Sequence, residues 1–170
     1  MKIIIASDIH GSATWCKKLV GAIETEQPDR IILLGDLLYH GPRNPLPDDY
    51  APAEVAGMLN ALAERITAVR GNCDAEVDQM MLDFPCMADY ALVADGEGAL
   101  FCTHGHVHTP EQPPRLAPGT TFLSGHTHVK TDERRDGIRF VNPGSVSLPK
   151  DGTHSFAIWN DGAIELRELR

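Results

Sequence analysis

Lys2-Ile3-Ile4-Ile5-Ala6-Ser7-Asp8-Ile9-His10-Gly11 opens the chain with an apolar, β-branched run that ends abruptly in serine, aspartate, histidine and glycine. The run is the length of a strand and is too short for the apolar region of a secretory leader, because Asp8 and His10 interrupt it. The same event recurs down the chain. Ile31 to Leu34 is followed by Gly35-Asp36, and Ile66 to Val69 by Arg70-Gly71-Asn72-Cys73-Asp74. Leu100 to Thr103 is followed by His104-Gly105-His106, and Thr121 to Leu123 by Gly125-His126-Thr127-His128. Five predicted strands therefore end in a metal-capable side chain beside a glycine.

The segments between them set the class. Trp15, Leu19, Val20 and Ile23 stand at helical spacing behind Ser12, a suitable N-cap, and Val55, Met58, Leu59 and Leu62 repeat the spacing behind Pro52. The order β-α-β-α-β predicts parallel strands joined by right-handed crossovers in the N-terminal half. Ile138 to Val141, Phe156 to Trp159 and Ala163 to Leu166 complete eight predicted strands, with antiparallel pairing expected in the strand-rich C-terminal half. The class is mixed α/β. Eight of the twelve prolines fall in residues 40–52 and 106–119, marking two long connections of the kind that carry function. Gly96-Glu97-Gly98 predicts a hairpin tip, and the charged stretch from Asp132 to Gly137 a solvated turn.

The chain has 170 residues, which fits a single domain spanning 1–170 with a core large enough to need no disulfides. Fifteen Lys+Arg stand against 24 Asp+Glu, and the net charge of -9 repels nucleic-acid backbones and anionic lipid. An anionic substrate must then be attracted locally. No stable nucleic-acid binding and no membrane span are expected, since no run approaches the ~18 apolar residues a span requires. Cys16, Cys73, Cys86 and Cys102 form no Cys-x-x-Cys pair, so a reducing cytoplasm is the expected compartment, with Cys16 and Cys102 as small buried hydrophobes. A homo-oligomer is compatible with all of this.

An aspartate or histidine after one strand is ordinarily a cap, a turn former or a loop residue. Five such ends gain meaning together, because the carboxyl ends of adjacent parallel strands open into one crevice. Asp8, His10, Asp36, Asn72, His104, His126 and His128 offer seven ligands, more than one tetrahedral ion needs, so two ions are implied. Oxygen and imidazole donors without thiolate suit Mn²⁺, Fe²⁺, Zn²⁺ or Ni²⁺.

Asp8-x-His10, Gly35-Asp36, Gly71-Asn72-x-Asp74, His104-Gly105 and Gly125-His126-x-His128, in this order, resemble the signature blocks of the calcineurin-like metallophosphoesterase superfamily. The resemblance runs from residue 1 to about residue 150. It implies an αββα sandwich of two mixed sheets flanked by helices. It also implies a dinuclear centre, Mn²⁺ foremost, in which Asp8, His10 and His128 hold one ion, Asn72, His104 and His126 the other, and Asp36 bridges both. The implied reaction is hydrolysis of a small phosphodiester by in-line attack of a bridging hydroxide. Expected reacting residues are Asp36, Asn72, Cys73, Asp74 and His106, and expected substrate contacts are Arg43 and His40, with Arg70 a weaker candidate for clamping phosphate. Two departures stand out. Cys73 occupies a position that is histidine in many members, which shifts the leaving-group acid to His106 or His40 or removes it. Asp36 is followed by Leu37-Leu38-Tyr39-His40 rather than Asp-Arg-Gly, which speaks against a phosphoprotein phosphatase. A protein-binding scaffold with a vestigial site and a phosphomonoesterase or nucleotide pyrophosphatase are the alternatives.

Overall fold

β1 (Lys2–Ala6), buried on both faces, explains why the opening run is continuously apolar. Ile3 and Ile5 point to one core, and Ile4 and Ala6 to another. In this computed structural model, which describes residues 1–94 and 98–170, β1 is followed by α1 (Ala13–Glu26), β2 (Arg30–Leu33), α2 (Pro52–Asn60), β3 (Ile66–Ala68) and α3 (Glu76–Met81). The strands that follow are β4 (Tyr90–Ala94), β5 (Ala99–Thr103), β6 (Thr121–Leu123), β7 (Thr131–Arg135), β8 (Ile138–Asn142), β9 (Ser155–Asn160) and β10 (Ala163–Glu168).

The strands form two five-stranded sheets, ordered β10-β9-β1-β2-β3 and β4-β5-β6-β8-β7. In the first, β1, β2 and β3 are parallel, as expected, and β9 and β10 add antiparallel. In the second, β5, β6 and β8 are parallel and only the edges β4 and β7 run antiparallel. The antiparallel expectation for the C-terminal half therefore holds for β9, β10 and the edges β4 and β7, and fails for β5, β6 and β8. Those three central strands are the ones whose carboxyl ends must reach the site together.

Ile32 and Leu34 face Leu100, Cys102, Leu123 and Val141 across the sandwich. Outside the first sheet, Leu19 and Ile23 of α1 and Val55 and Leu59 of α2 cover Ile4, Ile31 and Leu33. The Ser12 hydroxyl accepts from Trp15 N–H and starts α1, while α2 begins at Pro52 and stops before Leu62. The outer face of the second sheet carries Phe101, Phe122, Ile138 and Phe140, packed by Leu116 from the proline-rich connection. Among the described residues no helix covers that face, so the αββα layering is thin on this side.

Three elements depart from expectation. Of the charged stretch from Asp132 to Gly137, only Asp136-Gly137 is a turn; Thr131–Arg135 is a fully exposed edge strand, its Asp132 accepting two 2.8 Å hydrogen bonds from Arg139 on β8. Charged side chains suit an edge, which must not recruit another strand. β4 alternates exposed and half-buried residues on the opposite edge, and six-residue α3 is too short to show a helical period. The predicted tip at Gly96-Glu97-Gly98 has Gly96 and Glu97 outside the described residues. Cys16, Cys86 and Cys102 are buried and unpaired.

Candidate metal centre

The loops after β1, β2 and β6 share an unusual backbone. Asp8, His10, Asp36, His126 and His128 have φ of 59°, 50°, 54°, 67° and 60°, a region that non-glycine residues seldom enter. Such strain persists only where surrounding structure enforces it, and it gathers at functional sites. Here His10 N–H donates to the Asp36 carbonyl at 2.9 Å and Gly125 N–H to the His104 carbonyl at 2.9 Å, tying neighbouring loops together. The Asn142 to Ser147 turn buttresses them from below: the Ser145 and Ser147 hydroxyls donate to the Asp8 carbonyl at 2.9 and 3.1 Å.

Three imidazoles are oriented from behind. Nδ1 of His10, His104 and His128 lies 2.9, 2.7 and 2.6 Å from the carbonyls of Tyr39, Leu34 and Leu148. A carbonyl only accepts, so each Nδ1 carries the proton and each neutral ring presents the lone pair of Nε2 to the centre. Nε2 of His10 then faces Nε2 of His128 at 3.3 Å, and Nε2 of His104 faces His126 Nδ1 at 3.2 Å and Asn72 Oδ1 at 3.1 Å. Two lone pairs cannot hydrogen-bond to one another. Between His10 and His128, whose Nδ1 atoms are both committed to carbonyls, a proton or a metal ion is required, whereas His126 Nδ1–H can donate to His104 Nε2 in one tautomer.

The carboxylates complete the two groups. Asp8 Oδ1 is buried without a well-aligned hydrogen bond, 3.2 Å from His128 Nε2 and 3.6 Å from His10 Nε2. Asp36 Oδ2 stands between the groups, 3.6 Å from His10 Nε2 and 3.5 Å from His104 Nε2. The other oxygen of Asp36 accepts from Cys73 N–H at 2.8 Å. Asp8, His10 and His128 bring potential ligand atoms within 4.8 Å of one another, as do Asp8, Asp36 and His104. An orphaned buried carboxylate oxygen and opposed imidazole lone pairs fit divalent metal, and the backbone carbonyls behind the rings are the outer contacts such ligands ordinarily have.

Without metal, protons take the cation's place. Burial would lower the His104 imidazole, but contact with Asp36 and the charges of Asp8 and Asp36 raise it to about 9. Burial would raise the Asp8 carboxyl, but His10, His128 and His104 carry it well below the usual carboxylate range. A raised histidine stabilises the folded state fully below about 6.5 and loses that contribution as pH rises through about 9. The metal-free protein should therefore lose thermal stability between these values, while stabilisation by Mn²⁺ grows because binding no longer displaces a proton. Thermal unfolding with and without Mn²⁺ across that range tests this, and a metal effect independent of pH contradicts it.

The remaining expected residues divide. Arg43 lines the cleft of about 890 Å³ above Asp36, together with Asn72, Cys73, Tyr39 and Lys150. His40 does not line it; its ring packs edge-on against Tyr39 and Tyr50, at 4.8 and 5.1 Å between centroids. Asp74, expected to react, instead has both oxygens engaged by backbone N–H groups of Asp36, Leu37 and Gly71 at 2.7 to 2.9 Å, so it shapes the loops that present Asp36. Arg70 is committed to Asp89 Oδ1 at 2.6 and 3.0 Å and is not free to clamp phosphate. His106 lies beside the centre, 5.3 Å from His104 between ring centroids, outside the lining of the cleft. Burial and the charge of Asp36 push the Cys73 thiol up to about 12. Sequence reasoning missed Lys150, whose backbone N–H donates to the His128 carbonyl at 2.9 Å. Its only signal is a lone cation beyond the Asn142 to Ser147 turn.

Residues 1–160 match the family model of the calcineurin-like phosphoesterase superfamily domain. The chain belongs to that superfamily. It is 47% identical to phosphodiesterase YfcE of Escherichia coli K12 over 152 residues, covering 89% of this chain and 83% of that protein. The solved structure of the E. coli phosphoesterase YfcE superposes with a TM-score of 0.92 at 41% identity, covering all of both chains. The probable metallophosphoesterase YsnB of Bacillus subtilis is 28% identical, covering 93% of this chain and 83% of its own. The zinc-complexed Vps29 of Entamoeba histolytica shares the fold at a TM-score of 0.64 and 18% identity, covering 99% of this chain and 98% of that one.

Proposed function

We propose that this chain is a metal-dependent phosphodiesterase that hydrolyses a small phosphodiester at a dinuclear centre. Asp8, His10 and His128 would hold one divalent ion, Asn72, His104 and His126 the other, and Asp36 both. The observation that carries this reading is the position of Asp36 Oδ2 between His10 Nε2 and His104 Nε2, at 3.6 and 3.5 Å. Membership of the phosphoesterase superfamily together with 47% identity to phosphodiesterase YfcE makes the chain a phosphoric diester hydrolase. Mn²⁺ is the favoured metal, because carboxylate, amide and imidazole donors suit it. The free cysteines Cys16, Cys73, Cys86 and Cys102 support a reducing, cytoplasmic compartment. Among the described residues no helix is long and apolar enough to cross a membrane.

When bound, the ions acidify a water for attack on phosphorus and neutralise the phosphate oxygens. The residues do the rest. Tyr39, Leu34 and Leu148 carbonyls hold three imidazoles with Nε2 inward, and Asp74 fixes the loops that present Asp36. Arg43 and Lys150 at the rim draw an anion into a protein that otherwise repels it. Attack breaks the opposite phosphorus–oxygen bond and releases an alcohol and a phosphomonoester.

Among the described residues, the cleft lining holds no imidazole apart from the proposed ligands His126 and His128, and His106 stands outside it, 5.3 Å from His104 between ring centroids, so direct protonation of the leaving oxygen is poorly supplied. The thiol of Cys73 is too weak an acid to donate to any but a strongly basic oxygen. Activity should therefore fall steeply as the leaving-group pKa rises. The test is a series of aryl phosphodiesters and matched monoesters, assayed on protein freed of metal and reloaded with Mn²⁺, Zn²⁺, Ni²⁺ or Fe²⁺ at measured stoichiometry. Diester turnover requiring two ions, a steep dependence, and a shallower one in Cys73→His are expected. Turnover of monoesters alone, or of diesters by the metal-free protein, overturns the proposal.

A further inference from the structure

Beside the metal cleft lies a smaller cavity of about 230 Å³ with a different chemistry. Tyr39, Cys73 and Ala75 border both spaces, so the smaller one adjoins the larger. Its other walls include Tyr50, Pro52, Val77 and Met81. The one carboxylate there, Asp78, is buried and accepts from Ala75 N–H at 2.8 Å, so it belongs to the start of α3 and not to the cavity's chemistry. Apolar side chains stand open to solvent around it: Tyr39 is 41% exposed, Val77 60% and Met81 40%. Exposed apolar surface continuous with a polar reaction cleft is what a ligand with one charged and one apolar part would cover.

The walls also select a shape. Tyr39 and Tyr50 are among the walls, and the ring of His40 packs edge-on against both, at 71° and 80°. Fixed rings favour a flat partner that can stack or meet them edge to face. His40 therefore serves as a positioning residue for two aromatic walls.

We propose that this annex binds one ester arm of the substrate, and that the arm is a flat, uncharged aromatic group. The proposal rests on the phosphodiesterase reading above and names the substrate class for the same site. The phosphate would lie over Asp36 with the ring against Tyr39, Tyr50, Val77 and Met81.

Two inhibitors that cannot be hydrolysed separate the two ideas. Methylphosphonate carries the anion alone, and benzylphosphonate adds a ring at the reach of an aryl ester. On the Mn²⁺-loaded protein, titration calorimetry should show benzylphosphonate binding at least about tenfold tighter, as burial of a ring's apolar area predicts. Val77→Asp and Met81→Glu, two independent changes on the exposed side of α3, should each bring that ratio to within about twofold. If both variants weaken the two ligands equally and keep the parental ratio, the apolar walls contribute nothing to the ring and the annex is overturned. Equal affinities in the parent protein overturn the annex while leaving the phosphodiesterase reading in place. If methylphosphonate itself does not bind, the phosphate site fails and the annex falls with it. A shift from oligomer to monomer in Val77→Asp by sedimentation, with the ratio retained, would make the surface an interface between copies and would also overturn the proposal.

Discussion

Asp36→Asn should abolish turnover and lower the affinity for both ions by more than about 100-fold, the upper range for losing even an outer contact of a ligand. One carboxylate oxygen of Asp36 is held by Cys73 N–H, and the other lies within 3.6 Å of Nε2 of both His10 and His104. An asparagine keeps one acceptor oxygen and puts an amide NH2 in place of the other, so it either breaks the Cys73 contact or turns a donor towards the proposed metal positions. It also removes the negative charge that holds His104 protonated in the metal-free state. The imidazole of the variant should therefore titrate well below about 9, the value in the parent. Metal stoichiometry by elemental analysis, turnover on an aryl diester and the His104 titration by NMR should change together. Two ions retained with near-parental turnover would remove Asp36 from its bridging place.

Much of this site is legible in the amino-acid sequence, for a definable reason. A metal centre needs particular donor atoms, and the proposed donors are written as Asp8-x-His10, Gly35-Asp36, Asn72, His104 and His126-x-His128 after apolar runs of strand length. Strand alternation and loop position then carry them to one edge of the sandwich. What stays illegible depends on contacts made at a distance. Asp74 reads as one more acid in a motif, and only the fold reveals that its oxygens are taken by the backbone of two loops. His40 reads as a loop histidine beside Asp36, and its place between two tyrosines follows from the path of residues 39–50. The β7 edge strand is hidden by its charges, because an exposed strand paired on one side has no apolar face to betray it. Lys150 has no local pattern at all; it reaches the cleft because the turn beneath Asp8 delivers it there.

Gly71→Ala should cost nearly as much function as loss of Asp36 itself, although it adds a single methyl group. A Cβ built on Gly71 overlaps Asp36 Oδ1 and the Asp36 backbone nitrogen and stands 2.8 Å from Asp36 Cγ. Contacts this close force a shift, and neither neighbour is free to move. Asp36 Oδ1 is fixed by Cys73 N–H, and the Asp36 backbone nitrogen donates to Asp74 Oδ2 at 2.8 Å. Gly71 has no φ in the left-handed region, so the penalty is steric rather than conformational. Overpacking of this kind costs roughly 1–3 kcal/mol of stability. Its larger effect is to push the carboxylate out of line with two imidazoles, where a displacement of about 1 Å can cost about 100-fold in rate. Gly21→Ala is the control: nothing lies within 4 Å of its added Cβ, and its place inside α1 makes alanine stabilising by about 0.5–1 kcal/mol. Calorimetric unfolding and metal binding of the two variants, measured side by side, should diverge in sign for stability and differ strongly for metal affinity. If Gly71→Ala binds two ions as tightly as the parent, the carboxylate has room that the packing denies it, and the rigid placement of Asp36 argued from Asp74 and Cys73 is wrong.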